Sequence, residues 1–425
     1  MSITQLTGQS AAIDLLERNG ELDARRFLDL NKRSQVKQAL SAADKADLED
    51  WKPTVTRWFA WFQCAFLFGA AAGGLVFGWL GDRFGRSKAM AVSIVMYSTF
   101  SAATALAQSP EMLCALWFLA CTGVGGMWPN GVALLAEAWS DLSRPAVAGV
   151  IGTAANIGIF LFSSLAAFVT IDYDSWRWAM LLGAAPILLG VLAFFIVPES
   201  PAWLAIRTAP RVDDVKPAQP EVSVFRSSLL GVTCIAIVLA TVPMIGGWGT
   251  ANWMNPWAET VVGSARKAEV LQARSLTGLV GSLLGGWIAT FAGRRTTYFA
   301  VSLASLLLAQ YIFTFLTPGD DTFLIWVAAL GFVSGVYFGW LPLCLPEMFP
   351  TKVRSTGGGV GFNFGRIATA ATIFATGALS TFFEGDYARI GQWTSWLFVL
   401  GMVAIWFAPD TSEKELVEAD ASAKQ

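Results

Sequence analysis

Arg366 stands in an apolar stretch twelve positions after Arg354, which is about 18 Å along a helix at 1.5 Å per residue. That depth puts a guanidinium near the midplane of a bilayer, where a charge costs at least ~2.5 kcal/mol and is a functional candidate by default. The planar donor fork of arginine matches a carboxylate, so the chemistry expected is capture of an anionic group. The alternative is bonding to backbone carbonyls at a helix contact. Gln63, Trp128, Asn130, Asn156, Trp248, Asn252, Tyr337, Trp340 and Asn363 are the other side chains expected to face the same interior, about half of them reaching it, because aromatics with amides usually line a site for a small organic ligand. Gly246-Gly247-Trp248-Gly249 can break its helix as an outer gate, or end it. No aspartate or glutamate falls within the interior of an apolar run and the chain has no histidine, so proton coupling and facilitated diffusion stay equally open.

A second constellation is Gly78-Trp79-Leu80-Gly81-Asp82-Arg83-Phe84-Gly85-Arg86-Ser87-Lys88, a charged turn between two long apolar runs. Its glycines let two helix ends approach closely, and Asp82 can accept from backbone donors at a neighbouring helix start or pair with Arg83 or Arg86. Glu137 is followed seven residues later by Arg144, and Glu347 seven later by Arg354. Such pairs at helix ends suit a gate that must break when one side opens. Plain surface charge is the alternative reading.

The elements that position these residues are membrane spans. The chain is 55% hydrophobic and only 14% charged, with a positive mean hydropathy, far from soluble usage of about 25% charged. Apolar runs of spanning length occupy 58–81, 88–108, 112–138, 146–170, 176–197, 225–248, 271–292, 296–317, 323–345, 357–382 and 392–408. Residues 1–56 form a polar tail of short amphipathic helices broken near Asn19-Gly20, with no signal peptide. Residues 57–204 make a first bundle of five spans, 205–224 a central loop, 225–408 a second bundle of six, and 409–425 a terminal tail. With the charged turn inside the cell, fourteen Lys and Arg lie inside against Arg177, Arg266, Lys267, Arg274 and Arg389 outside, which favours this orientation and a cytoplasmic C-terminus in the plasma (inner) membrane. Cys64, Cys114, Cys121, Cys234 and Cys344 all lie in apolar runs without Cys-x-x-Cys spacing, so neither disulfides nor a metal site is expected. A near-neutral chain argues against nucleic acid, and no catalytic motif or cofactor site is visible. The expected partners are a small-molecule substrate, the lipid bilayer and, if coupled, protons; a monomer is expected.

The Gly78–Lys88 turn resembles the signature loop of the major facilitator superfamily, between its second and third helices, with Gly78, Leu80, Asp82, Arg83, Gly85, Arg86 and Lys88 where that family has them. The chain repeats itself: Gly78-Trp79-Leu80 to Gly85-Arg86 aligns with Gly286-Trp287-Ile288 to Gly293-Arg294 at an offset of 208, and Glu137/Arg144 aligns with Glu347/Arg354 at 210. Asn156 is the repeat counterpart of Arg366. The segments from Trp128-Pro129 and Trp340-Leu341-Pro342, and Pro198-Glu199-Ser200-Pro201-Ala202-Trp203-Leu204, are similar to loops of the sugar-porter and metabolite–proton symporter branches, though Ala202 stands where sugar porters usually carry arginine. The resemblance implies an all-α integral membrane fold of two pseudo-symmetric bundles. It implies alternating-access transport of a small organic solute, an organic anion or sugar-like metabolite, gated by Gly78, Asp82, Arg83, Gly85, Arg86, Glu137, Arg144, Gly293, Arg294, Glu347 and Arg354. The region 208 residues before 225–248 is polar, so the family's first helix is missing at that offset, whether from an altered or an incorrectly started chain, and the tail falls outside the cell. The rival function is a membrane sensor that binds without transporting.

Overall fold

A computed structural model describes residues 2–35, 40–138, 144–169, 172–208, 223–383 and 386–411. Every regular element among them is helical, as expected where apolar spans must satisfy their own backbone polar groups. The first half contains α1 (Ser2–Arg18), α2 (Ala24–Gln35), α3 (Ala42–Phe84), α4 (Arg86–Thr104), α5 (Pro110–Ala138), α6 (Arg144–Phe168), α7 (Arg177–Leu182), α8 (Ile187–Ile196) and α9 (Pro201–Thr208). The second contains α10 (Ser227–Val242), a π-helical segment Pro243–Gly249, α11 (Thr250–Val261), α12 (Ser264–Phe291), α13 (Arg294–Phe315), α14 (Phe323–Glu347), α15 (Arg354–Phe382), α16 (Tyr387–Ser395) and α17 (Leu397–Ala404). Among the described residues, eight helical segments are long and apolar enough to cross a membrane; α4, α12 and α15 complete the two bundles.

Packing follows the repeat. α3 packs on α4 and α5 as α12 packs on α13 and α14, and two seams join the halves, α3 against α15 and α6 against α12. Small residues let the seams close: a Cβ on Gly74 of α3 would lie 1.9 Å from Nδ2 of Asn363 on α15, so only glycine fits.

Three expectations change. The span at 58–81 belongs to a 43-residue helix that begins at Ala42, where Ser41 Oγ accepts from Asp44 N at 3.1 Å and caps the first turn. The span at 225–248 does not end at Gly246–Gly249; those residues form the π-helical segment, and the helix runs on to Val261. Residues 17–40 do not span, as expected, but α1 does not hang free. It packs against α3, α5, α6 and α7, the repeat counterparts of the helices around the π segment and α11. Ala11, Ala12, Leu15 and Leu16 are fully buried there against Trp117, Trp176 and Met180. Asp14 ties this end down, accepting from Arg177 Nη1 at 2.5 Å, Arg18 Nε at 2.9 Å and Trp176 Nε1 at 3.0 Å.

Candidate functional site

At the end of the molecule that carries the charged turn, the gating residues form one buried lattice. Asp82, in the last turn of α3, accepts from the backbone N–H of Ser355 at 3.2 Å and of Thr356 at 2.8 Å. It therefore caps the N-terminus of α15 in the other half, where unpaired amides and the helix dipole favour a carboxylate. Arg86 is fully buried and makes ion pairs with Asp82 at 3.2 Å and Glu137 at 3.1 Å, and donates to the Thr351 carbonyl at 2.6 Å. Glu137 also pairs with Arg354 at 3.0 Å and accepts from Ser200 Oγ. Two arginines and two carboxylates thus balance in a nearly dry site, the condition under which a buried pair is held well enough to matter. Gly85 turns at φ +116° with Glu199 against it, and Glu199 Oε1 accepts from the N–H of Arg86 and Ser87, capping α4.

The seven-residue Glu–Arg pairs are not partners of each other. Glu137 pairs across the halves with Arg354, whereas Glu347 pairs with Arg294 of its own half at 3.2 Å; the side chain of Arg144 lies outside the described residues. Asp82 pairs with Arg86 rather than Arg83, which rests over the Trp79 ring at 5.2 Å while its carbonyl accepts from Arg207. Gly78 lies against the Ser355 backbone, and Gly293 turns at φ +86° ahead of Arg294. The proposed gating set omitted Glu199, Trp203, whose Nε1 donates to the Asp82 carbonyl at 2.8 Å, and Arg207. The signal was present in the Pro198–Leu204 stretch, singled out only as an ending of the first half.

Deeper between the halves lies Arg366. Its Nη1 donates to Asn363 Oδ1 at 2.7 Å, and its guanidinium stands 5.0 Å from the Phe362 ring and 5.8 Å from the Phe66 ring. Among the described residues it pairs with no carboxylate. Trp128 of α5 stacks on Phe362 with centroids 4.0 Å apart, and Gln63 is buried one turn from Phe66 on α3. Asn363 also donates to the Gly359 carbonyl at 2.9 Å, which fixes its oxygen toward Arg366. Gln63, Trp128, Asn363 and Arg366 therefore gather around one junction of α3, α5 and α15.

The other candidates lie elsewhere. Asn130 is fully buried and donates to the Phe77 and Gly126 carbonyls at 2.9 Å, pinning α5 to α3. Tyr337 shares a 2.7 Å hydrogen bond with Ser302 inside the second bundle, and Trp340 Nε1 donates to the Arg294 carbonyl at 2.9 Å; both pack edge-on to Tyr298. Buried polar atoms need partners; the donors of these three have theirs in helix packing, while Asn130 Oδ1 is buried without one. Asn156 is half-buried on α6. The side chains of Trp248 and Asn252 lie outside the described residues. Arg274, expected on the outer side, is instead within α12, its Nη1 buried.

A family model described as Major Facilitator Superfamily matches residues 48–373. Among curated proteins the chain is similar to the cis,cis-muconate transport protein of Acinetobacter baylyi, 28% identical over 74% of this chain and 76% of that one. It is also similar to the niacin transporter NiaP of the same organism, 24% identical over 87% and 89%. Among solved structures, the proton:xylose symporter XylE covers 99% of this chain and 98% of its own with a TM-score of 0.71 at 16% identity. The human organic anion transporter MFSD10 reaches 0.65 at 16% over 95% and 97%.

Proposed function

The chain belongs to the Major Facilitator Superfamily and transports a small organic solute, and we propose that this solute is an organic anion whose carboxylate is received by Arg366. The observation that carries the reading is the state of that guanidinium: among the described residues it has one hydrogen bond, to Asn363, two aromatic faces, and no acidic partner. A half-buried arginine with open donors is an anion site that its own protein leaves unfilled. Similarity to transporters of muconate and niacin supports the choice of an organic acid.

Alternating access then consists of the two halves rocking about the α3/α15 and α6/α12 seams. The Asp82 cap on α15 and the Glu137–Arg354 pair hold the charged end shut and must release before the anion leaves on that side. We place that end in the cytoplasm of a cell whose plasma membrane the protein crosses. Of the five basic residues assigned outside, Arg274 lies within α12 with its Nη1 buried, which strengthens the inward excess of positive charge.

The test is uptake of labelled cis,cis-muconate and nicotinate into vesicles containing the full chain. Arg366→Ala is expected to lower the affinity for an accepted acid at least tenfold, with Arg366→Lys between, since it keeps the charge but not the fork. Unchanged affinity in Arg366→Ala would overturn the assignment. The same vesicles with and without an inward proton gradient separate coupled from passive movement.

A further inference from the structure

Arg274 is a second arginine with an uncommitted donor inside a helical bundle: the residue is half-buried. Its Nη1 is buried with no hydrogen-bond acceptor, and the guanidinium makes no ion pair among the described residues. Structural arginines in this chain behave otherwise: Arg177 donates to the Ala105 and Ala107 carbonyls, Arg266 to those of Pro318 and Asp320, and Arg295 to that of Ala408. Each spends its fork on a loop or helix end. Arg274 and Arg366 do not.

The internal repeat relates the two positions. Subtracting 208 from 274 gives Phe66, the residue whose ring lies 5.8 Å from the Arg366 guanidinium. Subtracting 210 from 366 gives Asn156 on α6. α12 packs against both α14 and α6, with the Arg274 backbone against Gly331 of α14, as α3 packs against α5 and α15. The junction of α3, α5 and α15 therefore holds Phe66 with Arg366. The repeat puts Arg274 of α12 and Asn156 of α6 at the corresponding positions of the pseudo-symmetric junction of α12, α14 and α6. By the repeat offset, each seam between the halves has one arginine at the corresponding register, on α15 in one and on α12 in the other.

We propose that the transported anion is two-ended, one carboxylate held by Arg366 and the other by Arg274, so that the site selects dicarboxylates over monocarboxylates. This rests on the organic-anion reading above and adds the second charge.

The test uses the purified full chain in proteoliposomes and a series of straight-chain diacids of four to eight carbons, cis,cis-muconate included, each beside its monomethyl ester. Binding is read by thermal stabilisation and, for those that bind, by uptake. At least one diacid is expected to bind ten- to a hundredfold better than its monoester. Arg274→Gln is expected to collapse that ratio by weakening the diacid alone, while Arg366→Gln weakens both. If no wild-type diacid exceeds its monoester, or if Arg274→Gln leaves the ratio intact, the second charge is overturned. Monoester binding that still needs Arg366 would then leave the organic-anion reading standing by itself; acids indifferent to Arg366 would remove both. Should Arg274→Gln fail to fold, the wild-type ratio and Arg274→Lys decide, the latter retaining a preference for diacids if the proposal holds and losing none of its monoester binding.

Discussion

Charged side chains and uncharged ones differ in how far sequence locates them. Arg366 and Asp82 were legible because a charge inside or beside an apolar run is costly, so few explanations compete for it. The amides and aromatics were not, since hydropathy gives depth but not which way a helix face points. Tyr337 and Trp340 sit at the depth of a cavity yet turn into the second bundle, where Tyr298 contacts both rings. Arg274 was missed for the converse reason: it stands ten residues into α12, near the apparent edge of an apolar run, and only its match to Phe66 reveals its depth. The difference between packing and binding roles is measurable. Tyr337→Phe removes the hydrogen bond to Ser302 and is expected to lower stability by about 1 kcal/mol, read as a lower melting temperature in detergent, with substrate affinity unchanged. A tenfold loss of affinity with an unchanged melting temperature would return Tyr337 to the cavity.

Helices were legible in number and order, and their ends and breaks were not. The repeat is read at a fixed offset, but residues 19–41 between α1 and α3 have no counterpart in the two-residue link between α11 and α12. The fixed offset therefore misses α1, which packs on the counterparts of the helices around α11; with Thr, Gln, Ser and Asp14 among its residues, it is not apolar enough to read as a span. Its docking depends on one carboxylate. Burial raises the Asp14 pKa, but hydrogen bonds from Arg18, Trp176 and Arg177 outweigh it and hold the group below its ordinary 3.8. A depressed carboxylate stabilises the docked helix at pH above 3.8 and loses that contribution as pH falls through its lower folded value. Asp14→Asn is expected to cost about 1–3 kcal/mol of docking, discounted because Arg177 is partly exposed and keeps its carbonyl partners. At neutral pH, trypsin should then cut faster after Arg18 and Arg25, and acidification of the native protein toward pH 3 should produce the same loosening under an acid-active protease. Equal cutting rates in the native and Asp14→Asn proteins would show that apolar burial alone holds α1.

For the whole molecule, two halves followed directly from the paired motifs, but the pairing between halves did not. Spacing within one segment suggested Glu137 with Arg144 and Glu347 with Arg354; docking of the bundles instead brings Glu137 to Arg354 and leaves Glu347 with Arg294. Of the two glutamates only Glu137 then joins the halves, and that asymmetry can be tested as a gate. Glu137→Gln removes the anion shared by Arg86 and Arg354 and leaves Asp82 to balance both buried cations at the seam. Breaking a buried pair by removing one partner costs about 3–5 kcal/mol, and each ~1.4 kcal/mol is tenfold in an equilibrium, so the closed charged end should lose its majority. Spin labels on exposed Lys88 and Lys352, one in each half, report this as a shift of the distance distribution to longer values. Glu347→Gln breaks a pair of similar burial inside the second half and should leave the distribution where it was. If both variants widen it equally, the effect is loss of packing and not of a gate. If neither does, closure is carried by the Asp82 cap on α15, and Asp82→Asn becomes the variant that opens the charged end.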